Sequence, residues 1–465
     1  MQRSIIICFC LLALAVSGQN RNAAPKVKDV VKKFYSQYTM DPLVDPNTEY
    51  PYVAFEKRQE GWYVVTQKLN KDNNHYSLEP VDKFLFYDNR FQKYKPLSFA
   101  KITHPKQVNP ADYFDEYTLK NYDLHVYYGY RGWYKDVIKD LKDRKQLSED
   151  EMNSLARAYS MYAGSLVSDQ AIDALLNEVW QLPLNMNCLS PQQITRFNSL
   201  EAKAQEYFKK LENRNPQYET TVGKIGLKYA NELMFQFTVL LAYANDYAMK
   251  MNLPDNLYSV EQLKAAQKNL EICPPNAILF SFGDNDYYPV HYLQHVKGIR
   301  RDVFLINYSL IGLDRYIYRA TLPMYDAEGV KVSVDTSFYK GDNNDLIYIK
   351  DSSYTVQFDQ VLQIIRSEIK SNGDIKTLAA DHISITLSQK EAETTTTNLK
   401  ITEGINAIID VNKSRYLMKN NWILLDIINN LRGRKICFPN RFDGDQLQGL
   451  NNYLVNKDGL YIYDN

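Results

Sequence analysis

Between Asn276 and Leu310 the chain reads NAILFSFGDNDYYPVHYLQHVKGIRRDVFLINYSL, and no other stretch limits the fold so tightly. An apolar run, Ala277 to Phe282, breaks at Gly283-Asp284-Asn285-Asp286. An amphipathic segment opened by Pro289 follows and closes at Gly298, and a second apolar run spans Val303 to Tyr308. Strand, acidic loop, helix and strand in about 35 residues spell a βαβ unit. Ligands in open α/β sheets sit at the carboxyl ends of the strands. Gly283, Asp284, Asn285 and Asp286 are therefore the candidate ligand-binding residues.

The sequence around this unit predicts a multidomain α+β protein. Its 465 residues suit two or three domains. Residues 1–18 have the form of a secretory signal: Arg3, an apolar core from Ile5 to Val16, and a small-residue cleavage site at Val16-Ser17-Gly18. Cys8 and Cys10 lie inside that core, so no lipid anchor is expected. Residues 19–124 are read as a helix near Val27 to Tyr38 and a small antiparallel β unit between 45 and 110. Gly61 to Thr66 and Lys83 to Tyr87 are its strands, with turn clusters at Asn70 to Asn74 and Asp88-Asn89. Trp62 and its tyrosine neighbours serve either cross-strand packing or binding there.

Residues 125–270 have a helical period. Ser148 to Glu151 and Ser190 to Gln193 are capping boxes, the second with Pro191 at the first helical position. Met152, Leu155, Ala156, Tyr159, Ala163 and Leu166 then share one face. Met152-x2-Leu155-Ala156-x2-Tyr159, Val222-x2-Ile225-Gly226-x2-Tyr229 and Ala204-x3-Phe208-x2-Leu211-x4-Pro216 match parts of the tetratricopeptide pattern, without its Trp. They divide the segment into repeat-like units at 149–182, 185–218 and 219–252, an arrangement that makes concave protein-binding surfaces. Residues 271–465 are expected to form an α/β domain on the βαβ core. Its further strands are Val330–Val334, Leu346–Ile349, His382–Leu387, Ala407–Val411, Ile436–Phe438 and Leu460–Tyr463. Its helices are Tyr288–Val296, Gln357–Lys370, Met418–Leu431 and Leu447–Val455, and Glu391 to Asn398 is an exposed connection.

Composition excludes several functions. Lys and Arg balance Asp and Glu at 55 each, which argues against nucleic acid as a main partner. No run after the leader reaches about 18 apolar residues, so no transmembrane segment is expected. Cys188, Cys273 and Cys437 are too few and too scattered for a disulfide framework, leaving one bridge or three buried thiols. Tyrosine is in excess, 37 against 19 Phe, a residue suited to wet grooves and sugar-facing surfaces.

Several C-terminal motifs occur in a familiar order. Ile278 to Pro289, Tyr292-Leu293-Gln294 and Gly298 to Val303 come first. Leu346 to Asp351, Tyr416 to Asn420, Leu424 to Ile428, Gly449-Leu450 and Gly459-Leu460 follow. This ordered set resembles the soluble C-terminal region of a bacterial family of polytopic envelope glycosyltransferases, similar to protein O-mannosyltransferases. The membrane part that would bind the lipid-linked sugar is missing here. The resemblance therefore implies an envelope location and an accessory role, not transferase activity.

Asp284-Asn285-Asp286 has the Asp-x-Asp form that can hold a divalent cation. The same residues can instead cap the helix and tie the loop through backbone N–H groups. His291 and His295, four apart on the following segment, have zinc-ligand spacing but lack an evident third ligand or a metalloprotease glutamate. Asp284, Asp286, His291 and His295 are the residues a metal would use, yet no metal or cofactor is assigned beyond the option of a divalent cation. No catalytic nucleophile motif occurs, and Arg300-Arg301 with Arg432 to Lys435 read as solvated loop charges. The sequence thus describes an exported, non-enzymatic accessory protein of the periplasm or outer membrane. It would bind envelope proteins through its helical repeats and a glycan or glycoprotein at Gly283–Asp286. The alternative is a cation-dependent hydrolase or transferase acting at that loop.

Overall fold

The computed structural model describes residues 24–38, 52–72, 75–97, 107–167, 178–339, 344–350, 352–367, 376–393, 400–411, 416–442 and 447–463. The signal-like segment 1–18 lies outside them. The chain divides into two compact units, residues 1–69 with 78–131 and residues 70–77 with 132–465.

In the first unit, α1 (Val27–Tyr35) places Val27, Val30, Val31 and Phe34 on one stripe, all fully buried. Burying four such side chains is worth about 1.5–3 kcal/mol each. The stripe packs on a four-stranded sheet of β1 (Tyr52–Arg58), β2 (Gly61–Asp72), β3 (His75–Asp88) and β4 (Lys93–Tyr94), ordered as in the chain. Helix α2 (Glu116–Leu124) adds Leu119 and Tyr122 to this core. Trp62 is fully buried and its indole Nε1 donates to the Pro25 carbonyl at 2.9 Å. It is a packing residue, not a binding surface. Gly61 turns β1 into β2 at φ +144°, where a Cβ would sit 1.8 Å from the Tyr87 carbonyl oxygen.

The second unit begins with helices α3 (Trp133–Leu141), α4 (Glu149–Leu166) and α5 (Pro191–Arg214). A short ribbon, β5 (Glu219–Thr220) with β6 (Gly223–Lys224), leads into α6 (Ile225–Tyr243). Helices α7 (Asn245–Ala248) and α8 (Val260–Ile272) follow. From α3 to α6 each long helix packs against the next. Both expected capping boxes form, Glu151 N donating to Ser148 Oγ at 3.2 Å and Gln193 N to Ser190 Oγ at 3.3 Å. A third, Ser259 with Gln262, opens α8. The six residues assigned to one face of α4 are all buried.

The tetratricopeptide division is not confirmed, and residues 168–177 of its first unit lie outside the described residues. Helix α5 runs unbroken for 24 residues where a repeat would turn between two helices, and α6 runs for 19. Between Gln192 and Asn215 there is no Gly or Pro to stop α5, and Glu, Ala, Lys, Gln and Leu carry it through. The matched spacings belong to helices with one buried face.

The rest of this unit is mixed. Strands β7 (Ile278–Ser281) and β8 (Phe304–Asn307) are parallel neighbours joined through α9 (Asp284–Lys297), and all eight strand residues are buried. A short helix, α10 (Asp314–Ala320), follows. Next come β9 (Leu346–Lys350), β10 (Thr355–Gln357), α11 (Phe358–Arg366), β11 (Lys376–Ala379), β12 (His382–Glu393), β13 (Lys400–Asp410) and β14 (Tyr416–Met418). Helix α12 (Lys419–Asn429), β15 (Ile436–Phe438), β16 (Val455–Lys457) and β17 (Leu460–Ile462) complete the order. Three sheets result: β16-β17-β15-β7-β8, β11-β9-β14 and β10-β12-β13. Helix α12 is buried from Asn421 to Ile428, as its apolar composition on every side requires.

Several expectations need correction. Val330 to Val334 is not a strand, although Val330 and Val334 are buried. Leu447 to Val455 is a 3-10 turn at Gln448–Tyr453 running into β16. Glu391 to Glu393 belong to β12, and 394–398 lie outside the described residues. Two of these basic residues, Arg300 and Arg434, are clamps rather than solvated charges, whereas Arg432 is exposed. Arg300 donates to the Leu270, Cys273 and Pro274 carbonyls, and Arg434 to those of Asn276 and Glu328. The three cysteines are free thiols, Cys273 and Cys437 buried and Cys188 half-buried.

The capping boxes give a first test. Ser148→Ala and Ser190→Ala should each lower stability by about 1 kcal/mol, read as a shift in the urea midpoint without a change of slope.

Candidate functional site

Helix α9 begins at Asp284 rather than near Pro289. Asp284, Asn285 and Asp286 therefore form its first turn instead of a loop, and Pro289 lies inside the helix. Gly283 is the N-cap residue, in extended backbone, with no capping side chain. A Cβ there would meet nothing within 4 Å, so the turn itself does not require glycine.

The four residues have separate fates. Asn285 is a fastener. Its Nδ2 donates to the Val222 carbonyl at 3.1 Å, and its Oδ1 accepts from Asn231 Nδ2 of α6 at 2.7 Å. Asn231 is itself held by the Tyr258 hydroxyl at 3.1 Å. Asp286 is exposed, makes no capping bond, and burial raises its carboxyl above the usual range. Asp284 accepts from Asn307 Nδ2 at 3.4 Å, across the carboxyl ends of β7 and β8. Neither aspartate caps the helix through its side chain.

Asp284 alone of the four lines a cavity of about 350 Å³. Like Asn285 and Asp286 it is an exposed residue, although protein packs around its carboxyl. Burial raises its carboxyl, against the opposing pull of Lys228 and Arg157 and the Asn307 bond. Tyr287, Tyr288 and Tyr316 join it on the wall. Burial pushes Tyr287 up to about 12 and raises Tyr288 and Tyr316 further, so all three are neutral hydroxyls. The Tyr316 hydroxyl accepts from Asn307 N at 2.6 Å, which fixes it against the end of β8. The opposite wall is helical and apolar, with Gly164 and Val167 from α4 and its C-cap and Phe235, Val239 and Leu241 from α6.

The histidines are not a zinc pair on an exposed face. His291 is fully buried among Phe237, Tyr287 and Tyr325, and neither ring nitrogen has a partner. Burial lowers it from 6.5 to about 3, so it stays neutral. His295 contacts the Met251 carbonyl at 3.2 Å and the Tyr325 hydroxyl at 3.3 Å. Among the described residues no three His, Cys, Asp or Glu side chains gather in a metal-binding group.

Behind Asp284 lies a carboxyl pair that motif reading missed. Glu201 of α5 is 0% exposed and Glu232 of α6 is 1% exposed. The Glu201 carboxyl meets Glu232 in a side-chain hydrogen bond, and Lys228 pairs with Glu232. Burial and the adjacent Glu232 charge push the Glu201 carboxyl well above its usual range. Burial opposes ionisation of Glu232 as well, but Lys228 and Ser160 outweigh it and hold Glu232 below the usual range. The sequence signal was a Glu on the apolar stripe of each helix. Arg315 and Arg319 of α10 were missed too, although they stand four apart between apolar residues.

Residues 262–463 match the family model described as TMEM260-associated domain 2. This is the part of the chain that carries the motif resemblance, and it includes β7, α9, β8 and α10. No curated protein and no solved structure shows significant similarity to the chain. Among the described residues no helix is long and apolar enough to cross a membrane.

The carboxyl pair has a definite pH signature. Glu201 is neutral when folded, with a raised pKa. Its contribution to stability is full below the unfolded value near 4.5 and is lost as pH rises toward the folded value. Glu201→Gln, neutral at every pH, should gain on the wild type as pH rises above 4.5. Glu232→Gln leaves Lys228 without its partner and should cost about 3–5 kcal/mol at pH 7. Denaturant titrations over a pH series read both effects; a Glu201→Gln curve parallel to the wild type would contradict the assignment.

Proposed function

We propose that this chain is an exported, non-enzymatic accessory protein of the bacterial cell envelope, with β7-α9-β8 as the βαβ core of its C-terminal domain. It takes a ligand in the cavity beside Asp284 and envelope proteins on the helices α3 to α6. A glycan or glycoprotein chain reaches it at the exposed first turn of α9. The observation that carries this reading is the cavity wall: Asp284 is its one carboxylate, and it bears no Ser, Cys or His. A concave, largely apolar wall with a few polar groups is what binding of a small molecule needs. The match to a TMEM260-associated domain adds support, since such a domain accompanies other machinery by its description. The periplasm or the outer membrane is the compartment that the leader-like N-terminus fits.

The rival, a cation-dependent hydrolase or transferase at Gly283–Asp286, needs both aspartates on one site. Asp286 is not on the wall that Asp284 lines, which counts against it.

The test is isolation of the full chain from chemically cross-linked envelope extracts of its host. The expected result is reproducible co-isolation of defined envelope proteins. Recovery as a lone monomer in good yield would sink the accessory role.

A further inference from the structure

The cavity beside Asp284 has a wall unlike a sugar site. Val167, Val239, Leu241, Leu305, Leu310 and Met324 supply much of it. Water occupies a void stably only where it finds two to four polar partners, and these side chains offer none. The volume, about 350 Å³, falls in the range of small-molecule sites. At roughly 30 Å³ for a group the size of a water, it holds a chain on the order of ten carbons.

Two buried guanidiniums stand on the same wall. Arg315 is 3% exposed and Arg319 is 8% exposed. Backbone carbonyls hold their terminal nitrogens: Asn185 and Pro183 for Arg315, Leu322 and Pro323 for Arg319. The Nε of each has no acceptor. Among the described residues neither forms an ion pair, and both line the cavity whose one carboxylate is Asp284. Buried cations are ordinarily paired, and a charge in this low-dielectric setting acts strongly across several ångströms. Two guanidiniums against one carboxylate leave a net positive charge around an apolar hollow.

We propose that this cavity binds an anionic amphiphile, a fatty-acid-like molecule with an alkyl chain of roughly ten carbons and a carboxylate head. The chain lies between α4, α6 and β8, and the head lies toward α10. This rests on the reading of the cavity as a binding site rather than a reaction centre, and it names the ligand class.

Calorimetric titration of the full chain with decanoate, with decanol as the uncharged counterpart, tests it. Decanoate should bind saturably at one site, at least tenfold tighter than decanol. Gly164→Met places a side chain from α4 into the hollow; a Cβ at Gly164 would stand 3.4 Å from Phe235 Cζ, an ordinary contact. That variant should keep its fold by circular dichroism and lose both ligands. Arg319→Gln should bring decanoate down to the decanol level, while Arg319→Lys retains the preference. No saturable heat with decanoate, or undiminished binding by folded Gly164→Met, overturns the proposal. Equal affinity for the acid and the alcohol overturns the anionic head. A chain that brings its envelope partners along yet ignores decanoate removes this inference alone and leaves the accessory role standing.

Discussion

One side chain fixes the geometry on which the candidate site depends. Asn285, in the first turn of α9, reaches the Val222 carbonyl with one end of its amide and Asn231 of α6 with the other. An amide is suited to this because it donates and accepts at once. The two bonds pin the start of α9, next to the carboxyl ends of β7 and β8, against α6. Phe237 of α6, wedged against His291 and His295 of α9, continues the seam one to three turns on.

That arrangement separates polar from apolar chemistry along α6. Lys228 and Glu232 stand near the first turn of α9, close enough to Asp284 to influence its ionisation. Phe235, Val239 and Leu241 farther along face the hollow. The tyrosine hydroxyls on the wall are neutral, which leaves Asp284, Arg315 and Arg319 as the charged residues lining the cavity. On the proposed reading, a site built this way would sort ligands by length and head-group charge.

How much of this the sequence disclosed depended on the range of the interaction. The capping boxes were legible because donor and acceptor are three residues apart, and β7 and β8 because strands buried on both sides must be apolar runs. The start of α9 was misplaced because Pro289 resembled a first helical residue. In the structure it stands a turn further in, where it lacks the N–H that the Asn285 carbonyl would accept. The tetratricopeptide spacings reported a buried helix face and nothing more specific. Asp284 was legible as a candidate, but its difference from Asn285 was not, since the partners of Asn285 lie 54 and 63 residues away. Arg315 was hidden for the same reason, its carbonyl partners being 130 and 132 residues distant.

On the proposed reading, the hollow beside Asp284 is filled by a ligand in the protein's own environment. Native mass spectrometry of the full chain purified from its host envelope, beside Gly164→Met prepared identically, tests this most directly. The wild type should carry one retained, releasable acidic lipid-like molecule and the variant none. Wild type and variant both arriving at the bare protein mass, or both with the same adduct, would contradict it.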